Sequence, residues 1–65
     1  MNQEIGVMAG KIWHTLESKG EMSVAALKKI LGTRESTFDW AIGWLAREDQ
    51  IVLRKERNTV KVALR

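Results

Sequence analysis

The sequence contains no cysteine, no tyrosine and a single histidine. Without cysteine, neither a disulfide nor a thiolate metal site can form. No stretch approaches the roughly 18 uninterrupted apolar residues that cross a bilayer. The opening segment Met1-Asn2-Gln3-Glu4 lacks the basic stretch and long apolar run of a secretion signal. From these absences we expect a cytoplasmic protein that does not engage a membrane.

Catalytic chemistry is equally thin. His14 falls opposite the apolar stripe of the first predicted helix, with no evident carboxylate or serine partner in the sequence. A solvated, exposed imidazole is the expectation. Six scattered glutamates and two aspartates read as surface charge. The sequence has no glycine loop to cradle phosphate and no cluster with metal-ligand spacing. No enzyme, no metal and no cofactor are expected.

What is present is a chain of 65 residues, 45% apolar against 29% charged. That balance is globular rather than disordered. A chain this short makes one domain, residues 1–65, and buries only roughly 60% of its unfolded surface. Stability must come from apolar packing of regular elements, with self-association as the available supplement. A monomer or a weak homodimer is expected. The net charge of +3 is unevenly spread. Residues 1–50 carry six basic and seven acidic side chains, whereas residues 51–65 carry five basic residues and one acid. The positive field therefore sits at the carboxyl-terminal segment, where it favours a polyanion or simply keeps a hairpin soluble.

Residues 3–19 predict a helix, with Ile5, Met8, Ala9, Ile12 and Leu16 recurring at steps of three and four. Lys19-Gly20 is its stop. Glu21-Met22 forms a short extended bridge. Ser23 caps a second helix over about 24–31, its buried face being Val24, Leu27, Ile30 and Leu31. Gly32-Thr33 punctuates the chain before a third helix, from Arg34 or Ser36 to Glu48, with Ser36 and Asp39 as a variant capping pair. Phe38, Ala41, Ile42 and Leu45 form its core stripe. The period then drops to two. Ile51, Leu53 and Lys55 share one strand face, and Val60, Val62 and Leu64 alternate in a second strand. Glu56-Arg57-Asn58-Thr59 makes the turn, with Asn58 tolerant of positive φ.

The tight Gly-Thr connection between two helices, followed by a ribbon too small to stand alone, resembles the winged helix-turn-helix superfamily. Residues Ala41 to Ile51 look like its junction between third helix and wing. The segment Glu4 to Trp13 together with Gly43-Trp44-Leu45-Ala46-Arg47-Glu48 resembles a small, stand-alone bacterial winged-helix family. The resemblance covers nearly the whole chain. It implies an α+β fold of three helices, a short strand after the first helix and a two-stranded C-terminal wing. It also implies double-stranded DNA as partner and a transcription-related role, although the same fold serves protein recognition.

For DNA, the third helix would offer Ser36, Trp40 and Arg47 to the major groove, with Thr37 on its flank. Arg54, Lys55, Arg57 and Lys61 on the ribbon, with Lys28, Lys29 and Arg34, would grip phosphates. Against this, residues 34–49 hold Arg34 and Arg47 beside Glu35, Asp39, Glu48 and Asp49, a net −2 that a phosphate-lined groove repels. Tryptophans favour the alternative, a protein-interaction module without DNA binding, which would use Trp40, Trp44, Val7, Gly6 and Gly10. Trp13 is expected in the core and Trp44 under the wing, leaving Trp40 partly exposed. Gly6 and Gly10 are expected to pack against the wing or a neighbouring loop, with a dimer contact as the other option.

Overall fold

The three-and-four spacing of residues 2–19 folds as α1, Asn2–Lys19, in the computed structural model, which describes residues 2–31 and 35–65. Met8, Ala9, Ile12 and Leu16 are its buried residues. The helix ends where Gly20 takes φ 81° and donates its N–H to the Leu16 carbonyl at 2.8 Å. This is the left-handed cap that only glycine adopts without steric cost.

A two-residue strand, β1 (Met22–Ser23), follows and leads directly into α2, Val24–Leu31. Ser23 is the predicted cap, its hydroxyl accepting the Ala26 N–H at 3.0 Å. Leu27 is fully buried, while Val24 and Leu31 are partly so. Ile30, expected in that face, is 52% exposed. At 100° per residue it stands about 95° from the middle of the arc made by Val24, Leu27 and Leu31.

The third helix, α3, runs Glu35–Arg47. Ser36 is thus its second residue and not its cap, and Asp39 is engaged by Lys28 at 3.7 Å instead of closing a capping box. The expected Gly32-Thr33 connection and Arg34 lie outside the described residues. Its carboxyl end is a Schellman motif. Gln50 N–H reaches the Leu45 carbonyl at 2.9 Å, Asp49 N–H reaches Ala46 at 3.1 Å, and Asp49 takes φ 59°.

The wing is β2 (Ile51–Glu56) and β3 (Thr59–Leu64), antiparallel, with Glu56 opposite Thr59 and Ile51 opposite Leu64. Its turn is therefore the two residues Arg57-Asn58. Arg57, rather than the expected Asn58, takes positive φ, at 53°. The closing pair leaves a two-residue loop, and tight hairpin loops of this length call for positive φ. The sheet gains a third member, since β1 pairs with β3 through Met22–Val62 and Ser23–Lys61, giving the order β1-β3-β2. β3 is central.

The core draws on every helix and both wing strands. Phe38, Ile12, Leu27 and Val62 are its largest fully buried side chains, joined by Ala41, Ile42, Leu45 and Ile51. The stripe Phe38–Ala41–Ile42–Leu45 faces inward as expected. The wing is sealed only at its base. Ile51 and Val62 are buried, whereas Leu53 and Val60, nearer the tip on the same face, stay 43% and 38% exposed. No described helix is long and apolar enough to cross a membrane.

Candidate nucleic-acid interface

The inward stripe of α3 dictates its outward face. With Phe38, Ala41, Ile42 and Leu45 buried, the 100° step turns Ser36, Trp40, Gly43 and Arg47 to the other side. All four are exposed, and Trp40 keeps 48% of its surface accessible. Thr37, expected beside them as a phosphate contact, is buried at 8%. By the same angular step it shares the flank of Trp44 and Glu48, which borders α1. No phosphate can reach it there.

Trp44 is not under the wing. It is 48% exposed and stands in a cleft between α3 and α1, beside Gly6, Ala9, Gly10 and Trp13. Gly6 and Gly10 therefore border an indole, not the wing, and a Cβ at either would meet nothing within 4 Å. The missing side chains open this cleft. They do not permit a tight contact. Val7 is 55% exposed on the same helix. Trp13, expected in the core, is only partly buried and meets the His14 ring edge-on at 5.4 Å. His14 is exposed as expected, but it has a carboxylate neighbour after all, Glu17 at 3.8 Å one turn on. Among the described residues no group of three His, Cys, Asp or Glu side chains is placed to hold a metal ion.

The charges divide into paired and unpaired sets. Arg54, which stands opposite Lys61 across the strands, is held by Glu21 and Glu56 at 3.0 and 3.2 Å. The two carboxylates offset the repulsion between those like charges. Arg65 meets Asp49 at 3.0 Å, and Lys28 lies between Asp39 and the face of Phe38, 5.7 Å from the ring centroid. These three cations tie elements together. Among the described residues, Lys29, Arg47, Lys55, Arg57 and Lys61 have no carboxylate within ion-pair distance. Two of the four acids that burden α3 in the sequence, Asp39 and Asp49, are thus paired with cations, Lys28 of α2 and Arg65 just past β3. The field that α3 presents is less negative than its composition.

Of the expected DNA contacts, the structure leaves Lys29, Ser36, Trp40, Arg47, Lys55, Arg57 and Lys61 available. It withdraws Thr37 by burial and engages Lys28 and Arg54 in ion pairs. Arg34 lies outside the described residues. The Lys28–Asp39 and Arg54–Glu21 pairs are hidden in the linear chain, because only the fold brings those partners together, whereas Glu56 shares β2 with Arg54 two residues on.

Two helices in tight succession, a first helix packed behind them and a hairpin wing closing the core constitute a winged helix-turn-helix domain. The family described as a winged helix-turn-helix domain (DUF2582) matches residues 1–64, and the chain belongs to it. An uncharacterised protein of the archaeon Methanocaldococcus jannaschii is 48% identical over 56 residues, covering 82% of this chain and 79% of that protein. The likeness is therefore not confined to bacteria. Among solved structures, a Bacteroides thetaiotaomicron protein determined in solution superimposes with a TM-score of 0.83 at 28% identity, over 98% of this chain and 79% of that one. HlyU from Vibrio cholerae superimposes with a TM-score of 0.68 at 26% identity, over 98% of this chain and 78% of that one.

Proposed function

We propose that the protein is a DNA-binding winged-helix module with a transcription-related role. In this reading α3 turns Ser36, Trp40 and Arg47 toward the major groove, and Lys55, Arg57 and Lys61 of the wing meet phosphates, with Lys29 contributing from α2. The observation that carries it is the division of charge: these cations lack carboxylate partners among the described residues, while two of the acids beside α3 are engaged. Charge freed in this way is what a phosphate backbone rewards, through counterion release. A nuclear magnetic resonance titration with generic duplex at low salt tests it. Amide shifts are expected at Arg47, Arg57 and Lys61, and their absence would defeat the reading.

A second reading follows from Trp40 and Trp44, each 48% exposed. Half-exposed tryptophans on one helix suit a protein partner, where such anchors dominate binding energy. On this reading Trp40→Ala abolishes partner capture or self-association with the fold intact. An unaltered variant removes it.

A further inference from the structure

The wing leaves its helices before it ends. Past the buried Ile51 and Val62 on their own strands, the inner face of the ribbon carries Leu53 and Val60 toward the tip, and both are only partly covered. Opposite them lie Val24 and Ala25 at the start of α2, with Ile42 of α3 as the floor. Together they bound an open hollow of about 480 Å³, edged at the tip by Asn58 and Thr59. The hollow belongs to neither the α3 outer face nor the Trp44 cleft.

Two basic side chains adjoin the wing-tip end of the hollow, although neither is among its lining residues. Lys55 lies directly across the strands from Val60, on the face that also bears Leu53, and Arg57 forms the turn. Neither has a carboxylate partner among the described residues. Among the described residues no acidic side chain lines the hollow. Glu56 pairs with Thr59 on the opposite face of the ribbon, where it and Glu21 are both held by Arg54. An apolar floor beneath an unneutralised cationic lip complements a ligand that is apolar on one side and acidic on the other. The hollow is open along its length, so a small molecule would keep much of its surface wet, whereas sites for such ligands enclose them. A peptide segment spans an open groove and can bury alternate side chains within it.

We infer that this groove between the wing and the start of α2 docks an acidic, amphipathic peptide segment of a partner protein. Apolar side chains of the segment meet Leu53, Val60, Val24 and Ile42, and its carboxylates meet Lys55 and Arg57. The inference stands independently of DNA binding, but the two ligands share Lys55 and Arg57 and therefore exclude one another.

Selection of a displayed library of random short peptides against the whole chain tests it. Enriched sequences are expected to interleave Asp or Glu with Leu, Ile or Phe, and to shift the amides of Val24, Ala25, Leu53 and Val60. Leu53→Ser, at a half-exposed position, should weaken the selected peptide by about tenfold. Lys55→Glu, which leaves the apolar wall intact, should weaken it similarly, and Trp40→Ala should leave it unchanged. Enrichment of basic or charge-indifferent sequences, dependence on Trp40 or Trp44, or no enrichment at all would overturn the proposal. So would concentration-dependent self-association that shifts these same amides, which would give the groove to a second copy. Generic duplex that shifts them and is not displaced by a selected acidic peptide would give it to nucleic acid.

Discussion

Replacing Arg57 with glycine separates what the wing tip does for the fold from what it does for a ligand. Arg57 occupies φ 53° at the first of the two turn residues. Left-handed geometry costs a residue with a Cβ about 1–2 kcal/mol. Glycine escapes that cost but gives up about 0.5–1 kcal/mol in additional chain entropy. The balance favours Arg57→Gly by about 0.5–1 kcal/mol, which for a domain of this size corresponds to a Tm higher by about 2–8 °C. Because Arg57 is exposed and has no ion-pair partner among the described residues, no packing or salt-bridge loss offsets the gain. The same change removes a cation from the proposed duplex surface. If Arg57 makes one phosphate contact, the slope of log affinity against log salt should become shallower by about 0.9. Thermal melts by circular dichroism and fluorescence anisotropy over a salt series read the two effects separately. A lowered Tm would refute the account of the turn. An unchanged slope would remove Arg57 from the interface while leaving the turn argument intact.

Arg54→Ala should alter the salt slope far less than Lys61→Ala, because Arg54 is already committed to Glu21 and Glu56; equal effects in the anisotropy series would contradict this. Phe38→Ala should destabilise by about 3–5 kcal/mol, a large share of what so small a core can supply, and urea unfolding with only a slight midpoint change would count against the assigned core. Ser23→Ala removes the side-chain acceptor for Ala26 N–H and should cost about 1 kcal/mol in the same assay; no loss would mean the cap contributes nothing. Trp40→Ala should leave stability within about 0.5 kcal/mol, since its indole is half exposed, and a marked fall in Tm would place it in the core instead.

Periodicity made the helices, the wing and the inward stripe of α3 legible, because burial forces apolar residues into a step of 3.6 or 2 wherever one face meets the core. Caps with a local signature were legible too, as at Ser23 and Gly20. What escaped was a helix stop that lacks a glycine, and contact between elements distant in sequence. The stop of α3 is a Schellman motif built on Asp49, where no glycine marks the left-handed residue. Asp39, Glu21 and Asp49, which engage Lys28, Arg54 and Arg65, lie outside those residues' own elements, so a count of basic residues overstated the free positive charge. Trp44 was misplaced for a related reason. Its angle on α3 is a flank, and only the crossing with α1 decides which neighbour that flank meets. The exposure of Leu53 and Val60 was equally hidden. Alternation assigns them to the inner face but cannot say how far along the ribbon the helices extend beneath it.

The sheet order has a temporal consequence. β3 is central, holding Met22 of β1 on one side and the whole of β2 on the other, yet it is the last of the described elements to be synthesised. Until residues 59–64 have left the ribosome, β1 and β2 have no strand to pair with, and the fully buried Val62 is missing from the core. The sheet closes only once β3 emerges, which makes a nascent chain arrested before residue 59 a species whose apolar core lacks part of its cover.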